Sequence, residues 1–360
     1  MNGKFSIMSL LFQPLELKNH TLQNRIVVSP MCQYSSENGF ANNWHLAHLG
    51  QFAMGRAALV IQEATAVSPE GRITYADLGI WSDEHIPVLK NIVNFVHSQG
   101  SLMGIQLAHA GRKASGNKPW LGHAQFKPNE ENGWQTVAPS TLPFHEKDHP
   151  PVALSKSDIK RIISDFKVAA ERAVKAGYDV IELHAAHGYL IHQFFSPLIN
   201  NRTDEYGGSF ENRIRFLMEI VQEVTQVLAT QSLWVRISAT DWAESGWSCD
   251  ESVQLTKLLQ SVGVEVMDVS TGGAVRHQEI PVKPNYQVPF ANRIKQETEM
   301  VTGTVGLITS GQQAEEILQN QEADFVLIGR GFLRNPHLVY EFARELNFDL
   351  DWAPQYERGK

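Results

Sequence analysis

The chain has 360 residues, 42% of them hydrophobic and 19% charged, with a formal net charge of −8; it can bury a large core and offers no basic face to nucleic acid. No apolar run approaches the ~18 residues of a membrane span and the N-terminus lacks a signal-peptide pattern, so a cytoplasmic protein with no membrane partner is expected. Two cysteines, Cys32 and Cys249, can form neither a disulfide framework nor a four-thiolate cluster site.

Taken in chain order, short apolar runs predict eight strands: Arg25–Ser29, Ala58–Ile61, Leu102–Gln106, Val180–Leu183, Leu233–Ile237, Val266–Val269, Val305–Ile308 and Phe325–Ile328. Helical patterns lie between them, at a first helix containing Trp44-His-Leu-Ala-His-Leu49 and over 84–98, 157–176, 210–229, 251–261, 312–320 and 334–346. The clearest is 157–176, where Ile159, Ile162, Ile163, Phe166, Ala169, Ala170 and Ala173 keep the three-four spacing of one buried face. Ser155 with Asp158 reads as its capping box and Gly177 as its stop. Strands alternating with helices imply parallel pairing, and eight such units with no linker predict an α/β chain that is one (β/α)8 TIM barrel over residues 1–360. An open doubly wound sheet is the rival, but the first strand is followed by Pro-Met-Cys-Gln-Tyr where a G-x-G-x-x-G turn would stand. The segment 112–154, rich in Trp, Pro, Gly and His, is too long for a plain connection and is expected to be a lid over the barrel mouth.

In such a barrel the chemistry sits at the C-terminal ends of the strands. Those ends carry Ser29-Pro30-Met31-Cys32, Glu63-Ala64, Gln106, His184 with His187, Arg236, Ser310-Gly311 and Gly329-Arg330. One cation, an amide, two imidazoles and two glycine-bearing turns suit a large phosphate-bearing ligand, with the phosphate at the last two turns; glycines that merely shape tight turns are an equal reading. The pair in His184-Ala-Ala-His-Gly-Tyr-Leu190 admits three readings: metal ligands, structural imidazoles, or donors to a substrate. Zinc would need a third ligand that no neighbouring His or Cys supplies. A strand ending at His184 and a turn that brings His187 round would aim both N–H groups at one carbonyl oxygen. His45 and His48 share the spacing but fall on a helix, and a core role is expected there.

Further motifs are specific. Ser29-Pro-Met-Cys-Gln-Tyr34, Glu63-Ala-Thr-Ala-Val67, Gly104-Ile-Gln-Leu-Ala-His-Ala-Gly-Arg-Lys113, Glu182-Leu-His-Ala-Ala-His-Gly-Tyr-Leu190, Arg202-Thr-Asp-Glu-Tyr-Gly-Gly-Ser-Phe-Glu-Asn-Arg213 and Gly329-Arg330 occur in that order. Through them the chain resembles the Old Yellow Enzyme family of FMN-dependent ene-reductases, in its xenobiotic-reductase-like (thermophilic-like) branch. The resemblance implies non-covalent FMN, held by Ser29, Pro30, Met31, Cys32, Ala64, Gln106, Arg236, Ser310, Gly311, Gly329 and Arg330, and NADPH as hydride donor. It implies that His184 and His187 hold a substrate carbonyl, that Tyr189 protonates the α-carbon, and that Tyr34 lines the substrate side. The Arg202–Arg213 string is expected to be structural. The branch also implies that Arg358, in the tail 348–360, reaches the active site of a neighbouring subunit in a homodimer or homotetramer. The leader Met1–Ser9 and the final Lys360 depart from the pattern. A metal-dependent barrel hydrolase using His184 and His187 as ligands is the alternative from another class, and a flavin-binding protein without turnover is a third.

Overall fold

The eight apolar runs close into a barrel. A computed structural model describes residues 9–122 and 124–360; of the expected leader Met1–Ser9 all but Ser9 lies outside them, as does His123 of the lid segment. The barrel strands are β1 Ile26–Val28, β2 Leu59–Ala66, β3 Leu102–Ala108, β4 Val180–Ala185, β5 Ser232–Ser238, β6 Val266–Ser270, β7 Val301–Val305 and β8 Phe325–Ile328. Each is parallel to its sequence neighbours, and β8 pairs with β1. Nearly every strand residue is buried, because side chains facing the barrel interior alternate with side chains facing the surrounding helices.

The helical ring comprises α1 Asn43–Met54, α2 Ile86–Ser98, α3 Lys156–Ala176, α4 Phe210–Thr225, α5 Cys249–Ser261, α6 Val288–Thr298, α7 Gly311–Gln319 and α8 Leu338–Glu345. In α3 the Ser155 hydroxyl accepts the Asp158 N–H while the Asp158 carboxylate accepts the Ser155 N–H, and Gly177, at φ +94°, ends the helix. Such a cap is worth about 1 kcal/mol. Inside the barrel, the end opposite the mouth is filled by Val27, Leu59, Ile61, Val180, Trp234, Val266, Phe325 and Leu327, and Leu22 of a short N-terminal hairpin closes it.

Three expectations are corrected. The seventh strand is Val301–Val305, with Gly306 (φ +114°) and Leu307 (φ +53°) already in the turn beyond it. Its composition hides it: Gly303 stands against the Phe325 ring, where a Cβ would come within 2.4 Å, and Thr302 and Thr304 dilute the apolar run. The helix α6 stands where none was predicted, its buried Val288, Ala291 and Ile294 separated by polar residues. The last predicted helix is two, a turn at Arg330–Arg334 and then α8. The lid segment holds two short 3-10 turns and a two-residue parallel pair, Val137–Ala138 with Val152–Ala153. Among the described residues no helix is long and apolar enough to cross a membrane.

Candidate active site

Strand β4 points Glu182 and His184 inward, two residues apart on one face. Beyond it His187 (φ +57°) and Gly188 (φ +71°) are consecutive left-handed residues. A Cβ at Gly188 would lie 2.1 Å from the Gly273 carbonyl oxygen, so no other residue fits there. This reversal swings His187 back beside His184: the rings are 5.3 Å apart and nearly perpendicular, and the Tyr189 ring is 4.9 Å from His184. The two histidines therefore share one side of the turn.

The turn is held from every direction. The His187 N–H donates to Ser238 Oγ at 2.9 Å, and the Gly188 N–H donates to His192 Nδ1 at 2.9 Å. His192 Nε2 lies 2.8 Å from Asp241 Oδ1, with both side chains fully buried. Gln193 Nε2 donates to the Gly188 carbonyl, and Lys113 Nζ donates to the carbonyls of His187 and Gly273 at 2.8 and 2.6 Å. Burial pushes the Lys113 ammonium down to about 7, helped by the neighbouring Arg112.

Burial also holds His184 and His187 well below the ordinary imidazole range, and the Arg236 cation adds to it. Both rings are neutral at working pH, as N–H donors that are not themselves spent on an ion pair. The Ala186 N–H donates to His184 Nδ1 at 3.3 Å, which puts the His184 proton on Nε2. Burial raises the phenols of Tyr189 and Tyr34 above their usual range, so both keep their protons.

At the opposite side of the mouth, Arg236 of β5 donates from Nη1 to Ser29 Oγ at 3.0 Å, tying it to the end of β1. Its Nε lies 3.2 Å from Asp268 Oδ2 without hydrogen-bond alignment. Gln106 donates from Nε2 to Glu182 Oε1 at 2.8 Å. Ala64, Ala108 and Ala110 form a small apolar patch with Cys32, Tyr34 and Tyr189 against it. Burial lifts the Cys32 thiol, so it is a neutral group beside Ala64 and not a thiolate.

Of the two expected phosphate turns, one is at the mouth. Gly329 stands where a Cβ would meet Met31 Sδ at 3.4 Å, and Arg330 follows it in the open. Ser310 and Gly311 are spent elsewhere. Ser310 caps α7 by accepting the Gln313 N–H, and the Gly311 and Gln312 N–H groups donate to the Glu345 carboxylate at 2.7 and 3.1 Å. With β7 ending at Val305, the turn at the mouth is Gly306–Leu307, both at positive φ (+114° and +53°).

The remaining mouth residues were not singled out from the sequence. Ser270 Oγ lies 2.7 Å from His187 Nε2; Gln287 Oε1 accepts from Thr271 Oγ1 at 2.7 Å, and its Nε2 donates to the Val305 carbonyl. Asp268, a lone acid inside the apolar run Val266–Val269, was the one available sequence signal. Arg358 is not at its own chain's mouth. Its turn packs through Tyr356 on His337 and on Met54, at the end of α1 that lies away from the mouth.

These residues fit FMN. A buried guanidinium with an unaligned Nε is tied to Ser29, as the anionic edge of a flavin would need. Gln106 and Ala64 pair across β3 and β2 at the same end of the barrel, and the turns Gly306–Leu307 and Gly329-Arg330 follow β7 and β8, the places a phosphate would take. That set defines a flavin oxidoreductase on a TIM barrel. A model of the NADH:flavin oxidoreductase / NADH oxidase family matches residues 10–349, and the chain belongs to that family. It is 48% identical over 351 residues to an NADPH dehydrogenase of Bacillus subtilis (strain 168), covering 97% of this chain and 98% of the relative. It is 50% identical over 351 residues to an NADPH dehydrogenase of Bacillus cytotoxicus, covering 97% and 96%. Morphinone reductase superposes with a TM-score of 0.78 at 28% identity, covering 96% of this chain and 92% of that one. A 2-naphthoyl-CoA reductase gives a TM-score of 0.85 at 22% identity over 93% of this chain and 52% of its own, a likeness of fold.

Proposed function

We propose that the protein is an NADPH-dependent ene-reductase that reduces the C=C bond of α,β-unsaturated carbonyl compounds, and that quinones and nitro compounds are further acceptors. The observation that carries this reading is the His184–His187–Tyr189 cluster, two neutral imidazoles and a phenol brought together by one left-handed turn. FMN, when bound, would supply the hydride relay between NADPH and the substrate.

The residues of this chain do the rest. His184 Nε2–H and an N–H of His187 hold the substrate carbonyl oxygen and draw electron density from the conjugated double bond, which makes the β-carbon a hydride acceptor. For His187 the donor is Nδ1–H. Its Nε2 accepts from the Ser270 hydroxyl 2.7 Å away, a shorter contact than that hydroxyl makes to its other acceptor, Gln287 Oε1 at 3.2 Å. Tyr189, kept protonated by burial, gives its phenolic proton to the α-carbon. Tyr34 and the apolar patch exclude water, and Arg358 of a second copy covers the mouth in a homodimer or homotetramer.

The metal-hydrolase alternative lacks support. Among the described residues no third His, Cys, Asp or Glu stands with His184 and His187, and the family's chemistry is redox.

Isotopic labelling tests the proposal. With 2-cyclohexenone, deuterium from deuterated NADPH is expected at the β-carbon and solvent deuterium at the α-carbon. In Tyr189→Phe the second transfer slows while flavin reduction by NADPH does not. Unchanged turnover in Tyr189→Phe, or no cyclohexanone at all, would overturn the assignment.

A further inference from the structure

Below the histidines, the barrel interior holds a buried cluster that the proposed reaction does not use. Four strand residues carry charge-bearing carboxyl or guanidinium groups: Glu63, Glu182, Arg236 and Asp268. Glu63 turns toward Gln33 and His45. The other three meet inside the barrel, with Gln106 as the neutral partner from β3 and His184 above them on β4. The remaining strands offer only uncharged groups there, such as Gly303 of β7 and Ser29 just past β1.

The hydrogen-bond inventory of this cluster does not balance if both acids are ionised. Glu182 Oε1 accepts from Gln106, but Glu182 Oε2 and both Asp268 oxygens are buried with no donor. Among the described residues the cation facing this cluster is Arg236, which lies against Asp268 and is shared with Ser29. Two fully buried carboxylates against one guanidinium would leave an uncompensated buried charge, an arrangement that costs several kcal/mol. Glu182 and Asp268 lie within hydrogen-bonding reach of each other, on alternate strands of one interior layer. A single proton on Glu182 Oε2, donated to Asp268, pairs two of the three orphan oxygens and leaves one carboxylate facing one guanidinium. Burial and the neighbouring acid raise the Glu182 carboxyl well above its usual range, which agrees with Glu182 as the holder.

We propose that Glu182 and Asp268 share one proton, so that the pair carries a single negative charge, and that this charge, set against Arg236, tunes the reduction potential of the bound flavin. With it, Arg236 is a balanced cation at the edge where charge gathers on reduction. With no carboxylate behind it, the same cation would favour the reduced flavin more strongly. Both acids are positioning residues that act through Arg236. The inference rests on FMN occupying the mouth.

The test is the flavin midpoint potential of the FMN-bound protein at neutral pH, by equilibration with a reference dye, in wild type, Asp268→Asn and Glu182→Gln. Asp268→Asn is expected to shift the two-electron equilibrium toward reduced flavin tenfold or more, about 30 mV. Glu182→Gln, which replaces one neutral group by another, is expected to shift it less than about threefold by the same conversion. Equal upward shifts in both variants would mean two separate charges and would overturn the proposal. No shift in Asp268→Asn would overturn it too if Glu182 keeps its proton there, whereas loss of the Glu182 carboxyl band in that variant would show Glu182 taking over the pair's single charge. Infrared spectroscopy covers the case in which Asp268→Asn does not fold. A protonated-carboxyl band present in wild type at pH 8 and absent from Glu182→Gln supports the shared proton; its absence from wild type overturns it. The band needs no flavin, so a protein that refuses FMN would sink the redox half of the inference and leave the proton to be decided separately.

Discussion

The chain carries two His-x-x-His pairs, and the contrast between them shows what converts a spacing into a site. His45 and His48 lie on α1, where three-residue spacing places both on one helical face. His45 Nδ1 accepts the Asn42 N–H within the α1 capping box, and His48 packs its ring edge-on to Phe52 at 4.8 Å. His184 and His187 have the same spacing across a strand end, where the default would send them to opposite faces. Two left-handed residues and a set of surrounding donors and acceptors overrule that default. Burial lowers the basicity of all four imidazoles, so burial does not separate the pairs. What separates them is where the N–H groups point, and that is set by backbone geometry.

The comparison breaks most sharply on mutation. Replacing His184 and His187 together by Ala is expected to lower enone reduction by about 10²–10⁴-fold with FMN content intact; steady-state kinetics and the visible spectrum check both. Tyr189→Phe is expected to slow substrate reduction by on the order of 10²-fold while flavin reduction by NADPH is unchanged, read by stopped flow. Arg358→Ala is expected to raise KM several-fold with a smaller change in kcat, and the loss should track subunit dissociation on dilution.

The α1 pair is expected to move stability and leave turnover alone. His48 is held at about 4 in the folded protein by burial and by His45, against about 6.5 unfolded. The unfolded chain therefore binds more protons between these values, and stability falls as pH drops from about 6.5 toward 4. His48→Phe costs on the order of 1 kcal/mol at pH 8 through packing, yet flattens this acid limb. Urea unfolding at pH 8 and pH 5 measures it, and an unchanged acid limb would remove His48 as its cause.

Much of this was legible in the sequence because strand ends in a parallel barrel are addresses. His184, Arg236, Gln106 and Ala64 could be placed by counting apolar runs, and the capping residues of α3 fixed its ends. The turn after the seventh strand was misplaced because β7 is written in Thr and Gly to fit beside Phe325. The apolar run after it pulled the expected strand four residues downstream and with it the turn, from Gly306–Leu307 to Ser310-Gly311. Glu345, the carboxylate that occupies the N-terminus of α7, is 34 residues from Gly311 in the chain, a separation no local pattern spans. Gln287 was hidden because the helix it precedes, α6, has too polar a face to stand out. The Gln106–Glu182 and Arg236–Asp268 pairs join side chains of different strands inside the barrel and needed the closed fold to appear.

The most direct test of the central claim is an anaerobic visible spectrum of the purified protein, taken alone, after NADPH, and after 2-cyclohexenone. The account predicts a yellow protein that bleaches with NADPH and regains its colour with the enone. A protein that bleaches and stays bleached would contradict the role given to His184, His187 and Tyr189, and one that remains colourless after reconstitution with FMN would contradict the flavin site itself.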